Sequence, residues 1–389
     1  MRFLFSAGSG HSHIAPLLPL ATTARDAGHD VVFVTGSAAA RFPEAAGLGT
    51  VAIDGAPTEA SARYAREHPL DRMRTLSRDE ALSEMIAYYL VGVGAGTRLA
   101  EMRAFVRDWK PDLVVSTLAE RASVLAANLA GVPYVMHAIG PPKTAEVMAA
   151  AWEVAHELVR PYGVERLPPR ETVPYLDIWP DELCRDGAGW EFPARWPLRP
   201  ENVLPTGAPR PPVLDGLPYE RTVYVTAGTS HNTKPGVLEA MLDGLRDAEV
   251  NVVATIGRDG DRARFGDQPD HVRIEHFVPQ DQLLSFVDVV VCHAGAGTIL
   301  GALAHGVPLV VSPLGTDQFD MADQVVGAGA GLLAGSGTPS ADAVRAAVRE
   351  ILGTPSFRER ASAIAGKITT MPAPADILDR LKAYVANDS

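Results

Sequence analysis

Cys292-His293-Ala294-Gly295-Ala296-Gly297-Thr298 places an imidazole and two glycines where an apolar run ends and a helical pattern begins. The run before it, Val287 to Val291, has the length of one buried strand. The stretch after it, Ile299-Leu300-Gly301-Ala302-Leu303-Ala304, has helical spacing and stops at Gly306 ahead of Pro308. Glycines at such a junction let a ligand come close to the backbone, and the helix start offers free N–H groups and the positive end of its dipole. The chemistry that suits this arrangement is binding of a phosphate or diphosphate. Asp317-Gln318 follow about one strand–helix unit later, after a strand ending at Ser312-Pro313, where side chains can hydrogen-bond hydroxyl groups.

The elements that must hold these residues repeat along the chain. Residues 2–7 read as a strand, Gly8-Ser9-Gly10 as a turn, Pro16 to Ala27 as a helix stopped by Gly28, and Asp30 to Thr35 as the next strand. That is a βαβ unit, so a parallel sheet is expected, with further strands at Asp112–Ser116 and Tyr134–Ala138. The pattern restarts with a strand at Arg221 to Ala227, the turn Gly228-Thr229-Ser230 and a helix over about Pro235 to Leu245. Strands follow at Asn251–Ile256, Asp288–Cys292 and Leu309–Ser312. Residues 193–218 carry eight prolines and read as an extended linker. The expected organisation is two α/β domains, 1–205 and 206–372, facing each other across a cleft. Ligands of open parallel sheets sit beyond the carboxyl ends of the strands. Residues 55–100 read as helices and mobile loops, and Ala373 to Val385 as a terminal helix.

Composition narrows the classes. With 389 residues and 47% apolar content the chain can bury a core in each domain. A formal charge of −12 argues against a nucleic-acid backbone or an anionic membrane as partner. No apolar run is long enough to span a bilayer, and the N-terminus reads as a first strand rather than a signal peptide. Two distant cysteines imply neither a disulfide framework nor a cysteine zinc site, which suits a cytoplasmic protein. Asp259-Gly260-Asp261 has the form of a metal-binding D-x-D motif, but Arg258, Arg262 and Arg264 surround it and it reads as a solvated turn.

Four motifs in order resemble those of the inverting, two-Rossmann (GT-B) glycosyltransferases that decorate bacterial natural products. Gly10-His11-Ser12-His13-Ile14-Ala15-Pro16-Leu17 resembles the family's opening loop, with a histidine three residues before a proline. His276-Phe277-Val278-Pro279-Gln280 resembles its base-binding turn, His293 to Thr298 its diphosphate motif, and Asp317-Gln318 its sugar-binding pair. The resemblance covers nearly the whole chain and comes nearest to antibiotic-pathway enzymes that use nucleoside-diphosphate deoxysugars, those of enediyne biosynthesis among them.

The resemblance implies a metal-independent transfer from an NDP-sugar, with dTDP or UDP as nucleotide, to a hydroxyl of a hydrophobic aglycone, by a monomer or homodimer. Taken alone, His13 reads as a cap of the first helix. The resemblance makes it the base that deprotonates the acceptor. Relatives orient that histidine with a carboxylate, but Thr117 stands in its place here. Glu120 is the remaining catalytic candidate, the alternative being an exposed glutamate at a helix start. Donor contacts fall to Gly228, Thr229, Ser230, Phe277, Val278, His293, Gly295, Ala296, Gly297, Thr298, Asp317 and Gln318. Met321 stands where relatives often carry an asparagine. Aglycone contacts are expected among Met85, Tyr88, Tyr89, Met136, His137, Met148, Trp152, Trp179, Trp190 and Trp196, with ordinary core packing as the alternative for most. In the family the terminal helix crosses back onto the first domain. Two rivals keep the fold: a sugar-nucleotide epimerase, and a non-catalytic partner of another transferase. A dehydrogenase is more remote, because Gly8-Ser9-Gly10 lacks the third glycine of the dinucleotide fingerprint.

Overall fold

The computed structural model describes residues 1–165, 167, 172–184, 189–228, 232, 234–258 and 260–388. Contacts divide the chain into two units: Met1–Trp179 with Asp186–Asn202 and Met371–Ser389, and Pro180–Arg185 with Val203–Thr370. Each unit is built on one parallel sheet.

The first unit holds β1 (Arg2–Ser6), β2 (Asp30–Thr35), β3 (Gly49–Ala52), β4 (Leu113–Thr117), β5 (Tyr134–His137), β6 (Tyr175–Asp177) and β7 (Arg195–Pro197). Their order is β3-β2-β1-β4-β5-β6-β7, so strand order reverses between β1 and β4, where open α/β sheets take ligands. Phe3, Leu4, Phe5, Phe33 and Val115 are fully buried, as strands covered on both faces require.

Three stretches depart from the sequence-based expectation. The first helix begins earlier and in pieces: helix His11–Ile14, a single 3-10 turn Ala15–Leu17, then helix Leu18–Asp26. Pro16 and Pro19 cause this, since neither has an N–H to continue an α-helical ladder. The proline-rich stretch 193–218 is not all linker. Arg195–Pro197 is β7, the last strand of the first sheet, and Glu201–Val203 and Pro212–Leu214 are 3-10 turns. Proline is tolerated there because one side of an edge strand needs no ladder donor. Residues 55–100 are better ordered than expected. Helices Glu59–Glu67 and Arg78–Glu84 each start with a capping box, and the π-helix Met85–Ala95 runs into helix Gly96–Trp109.

Helix Pro374–Asp388 packs against Leu18–Asp26. Its Arg380 guanidinium lies 3.8 Å over the Trp196 ring and its Tyr384 meets the same ring edge-on at 6.0 Å. No described helix is long and apolar enough to cross a membrane.

The second unit holds β8 (Thr222–Thr226), β9 (Asn251–Thr255), β10 (Val272–Glu275), β11 (Val289–Cys292), β12 (Leu309–Val311) and β13 (Gly331–Leu333), in the order β10-β9-β8-β11-β12-β13. The core lies under helices Val237–Leu245 and Ala341–Gly353, whose Val237, Met241, Leu245, Val344, Val348 and Ile351 pack on β8, β9 and β11. The two helices touch at Gly244, where an added Cβ would stand 2.6 Å from the Ala341 carbonyl oxygen and 2.9 Å from Val344 Cβ. Gly244→Ala therefore forces the helices apart, and the clash outweighs the gain of about 1 kcal/mol in helix propensity. The expected net loss is roughly 1–3 kcal/mol. Hydrogen exchange should show protection lost in these two helices and kept in β1 to β7.

Candidate functional site

In the second unit the loops after β8, β11 and β12 leave the carboxyl ends of three adjacent strands. Cys292 ends β11 fully buried, and burial pushes its thiol up to about 12, so it is packing and not a nucleophile. His293 follows with 7% of its surface exposed. Gly228 lies two residues beyond Thr226, the register partner of Cys292. It has φ +68°, and a side chain there would run into the His293 ring. On the other side, a Cβ on Gly295 would stand 2.6 Å from His293 Nε2. The imidazole is wedged between two glycines from neighbouring strand ends. The turn from His293 to Gly295 is strained, with Ala294 in the left-handed region at φ +63°.

Gly295 is the N-cap of helix Ala296–Ala304 and contributes no side-chain cap. The N–H groups of Thr298 and Ile299 reach the Gly295 carbonyl at 3.0 Å. Those of Ala296 and Gly297 precede any carbonyl the helix can offer them, as in every first turn. Gly297 is exposed and Thr298 buried. An imidazole and backbone amides at a helix N-terminus can together hold an anion.

Asp317 opens helix Gln318–Gly327, half-buried, after Thr316 in the left-handed region at φ +52°. Gln318 is buried, and its Oε1 accepts the Leu314 N–H at 2.8 Å, which closes the loop that presents Asp317. Met321 is buried in the same helix and is core. Phe277, by contrast, is not core: 53% of its surface is exposed, with the Arg258 guanidinium 4.2 Å from its ring centroid. Val278 lines a groove with Pro279, Gln282, Pro212 and Val213. Thr229, Ser230 and Asp259 lie outside the described residues. Asp261 accepts the Ala263 N–H at 2.9 Å and so caps a short turn.

In the first unit His13 lies in the opening helical turn, half-buried, with its ring against Gly8; a Cβ added there would stand 3.1 Å from Nδ1. His11 is exposed and meets Phe42 edge-on at 4.7 Å. Glu120 corrects the reading of an exposed helix-start glutamate, for it is 2% exposed. Its Oε2 accepts from Ser6 Oγ at 2.9 Å and the Ser123 N–H at 3.1 Å, and its Oε1 from the Ala122 N–H at 3.2 Å and Arg98 Nη1 at 3.3 Å. Both oxygens are thereby committed to β1, helix Gly96–Trp109 and helix Ala122–Ala130. A buried carboxylate persists only with such partners, and these supply them. Sequence alone did not single out Ser6, Arg98 and Ser123, since nothing in their spacing marks them as partners of Glu120.

The expected aromatic lining is mostly core. Met136, His137 and Met148 are fully buried, and Trp152 and Trp179 nearly so. Tyr88 and Tyr89 stand instead on the π-helix, with Tyr89 40% exposed and Tyr88 stacked on His68 at 3.4 Å.

Known proteins agree on one family. The family described as erythromycin biosynthesis protein CIII-like matches through its N-terminal domain at residues 22–183 and its C-terminal domain at 239–384. The elloramycin glycosyltransferase ElmGT of Streptomyces olivaceus is 31% identical over 98% of this chain and 97% of its own. The glycosyltransferase SnogD of Streptomyces nogalater superposes with a TM-score of 0.72 at 29% identity, covering 99% of both chains. The glycosyltransferase VinC, in complex with dTDP, shares the fold with a TM-score of 0.77 at 24% identity over the full length of both. Two parallel-sheet α/β units and a glycine-wedged histidine at a helix N-terminus accompany these matches, and the chain belongs to the GT-B-fold glycosyltransferases of bacterial natural-product biosynthesis.

Proposed function

We propose that the second unit binds an NDP-sugar and that the first unit supplies the base for inverting transfer of its sugar to a hydroxyl of a hydrophobic natural-product aglycone. The observation that carries this reading is the His293 ring fixed between Gly228 and Gly295 at the start of helix Ala296–Ala304. Bond breaking at the sugar C1 leaves an electron pair on the diphosphate oxygen. A group already oriented toward that charge lowers the barrier without reorganising. His293 and the amides of Ala296 and Gly297 have that character, and they stabilise the leaving group without a metal ion. Phe277 offers the ring face not covered by Arg258 to the base, with Val278 beside it. Gly228, Thr229 and Ser230 serve the phosphates or ribose, and Asp317 and Gln318 the sugar hydroxyls. The dTDP bound to VinC favours thymidine over uridine as the nucleotide.

In this reading His13 removes the acceptor proton as the acceptor oxygen bonds to C1. A single displacement from the face opposite the leaving group inverts the configuration. Glu120 is not given a proton-transfer role, since its oxygens are already engaged.

Calorimetric titration with dTDP and with UDP, both with EDTA, tests the donor site. Micromolar binding of one or both is expected, weakened roughly 10- to 100-fold by His293→Ala, as loss of a hydrogen bond to a charged group implies. Gly228→Ala should weaken it comparably, because its side chain displaces the imidazole. No binding of either nucleotide would sink the donor assignment. For the base, His13→Ala should lower kcat by roughly 10²- to 10⁴-fold while nucleotide affinity stays unchanged. A His13→Ala protein with full turnover would remove His13 from the chemistry.

A further inference from the structure

Thr117 Oγ1 and His137 Nε2, at the carboxyl end of the first sheet, are buried without a hydrogen-bond partner among the described residues. Both residues are fully buried. They end the adjacent strands β4 and β5 and are register partners. Buried polar groups in folded proteins almost always find a partner, so a pair of orphans at the ligand-binding end of a sheet points to something they hold in the working state.

Their direction follows from the fold. Ser116 faces helix Ala122–Ala130, since the Ser123 hydroxyl donates to Ser116 Oγ at 2.9 Å. Side chains alternate along a strand, so Thr117 faces the opposite side, and its register partner His137 shares that face. The β1–β2 connection lies there too. It runs across the sheet in the direction opposite to the β4–β5 connection, and right-handed crossovers then place the two on opposite faces. His13 lies in the first helical turn of the β1–β2 connection and against Gly8, two residues past Ser6, the register partner of Ser116. His13, Thr117 and His137 thus stand at three successive strand ends on one face.

The donor and acceptor inventory fits a chain. His137 Nδ1 lies 2.7 Å from the Ala138 carbonyl oxygen. A carbonyl only accepts, so Nδ1 carries the proton and Nε2 is an acceptor. Burial lowers the His137 pKa to about 4, which keeps the ring neutral. The Thr117 hydroxyl can accept one hydrogen bond and donate another.

We infer that Thr117 and His137 position His13: the Thr117 hydroxyl accepts the Nδ1–H of His13 and donates onward to His137 Nε2, directly or through one water. This rests on the proposed role of His13 as base. The row fixes the tautomer in which Nε2 of His13 is unprotonated and can take the acceptor proton, and it does so with neutral groups where many relatives use a carboxylate. No net proton moves along it, so Thr117 and His137 are positioning residues.

Long-range proton–nitrogen NMR of the full chain, labelled with ¹⁵N-histidine and free of substrate, tests this, with His13→Asn and His137→Gln to assign the resonances. Wild type should show the proton on Nδ1 in both histidines. Thr117→Ser keeps that His13 tautomer and Thr117→Val turns it into a mixture. Thr117→Asp raises the pH at which His13 protonates by about one unit or more, as an adjacent carboxylate does. A His13 protonated at Nε2 in wild type, or a His13 spectrum unmoved by Thr117→Val, overturns the inference. Failure of the base role is seen separately, as transfer retained by His13→Ala with this NMR pattern intact.

Discussion

The contact of the His293 ring with the backbones of Gly228 and Gly295 is the constraint on which the second unit's site depends. It exists because β8 and β11 are neighbours in register, so the turns after them leave the sheet side by side. It demands glycine on both sides, since either Cβ would occupy the imidazole's space. It also demands the left-handed backbone at Ala294, a conformation costing of order 1–3 kcal/mol. The strand before it, β11, has Val289, Val290, Val291 and Cys292 all fully buried, and that packing offsets the cost. The ring is closely packed by backbone on two sides, the kind of fixed placement that electrostatic stabilisation of a leaving group requires.

A different economy governs the first unit. Glu120, three residues after the position where a histidine-orienting carboxylate is expected, is spent on architecture. It joins β1 through Ser6, the start of one helix through two N–H groups, and another helix through Arg98. Arg98 also donates to the Ile53 carbonyl at 2.8 Å, so the same arginine ties down the segment after β3. Removing Glu120 would take the carboxylate from a largely buried Arg98 and leave the Ser6 hydroxyl and two N–H groups without their acceptor, a destabilising change. The carboxylate is needed where it is. The proposed orientation of His13 by Thr117 and His137 is consistent with that commitment.

The parallel sheets were legible because buried strands are continuous apolar runs and the glycine turns punctuate them. Val287 to Val291 and Arg221 to Ala227 needed no tertiary information to be recognised. Short edge strands were less so. β7 is Arg-Trp-Pro, and its identity comes from the neighbour that accepts it, β6, with which Asp177 and Arg195 also pair at 2.6 Å. The histidine and glycine positions of the second site could be named from motif spacing, but the wedge could not, since Gly228 and His293 are 65 residues apart in sequence and meet only through strand register. Glu120 shows the opposite failure. Its position after a strand reads either as a catalytic carboxylate or as a solvent-facing helix start, and only its four partners, three of them without sequence signature, explain its burial.

The two units share an architecture but differ in what their strand ends must do, and the chemistry explains why. Proposed departure of a diphosphate needs positive or donor character, which helix N-termini and a wedged histidine supply from backbone geometry, so that site tolerates little change in its glycines. Activation of a hydroxyl needs a lone pair held in one tautomer. That can be met by any hydrogen-bond acceptor at the right strand end, charged or neutral. A carboxylate adds stabilisation of the imidazolium as the proton arrives. A threonine backed by a neutral histidine gives orientation without that electrostatic support. The proposed base site is therefore the more permissive of the two, and Thr117 and His137 in place of an acid are compatible with the proposed reaction run on a less polarised histidine.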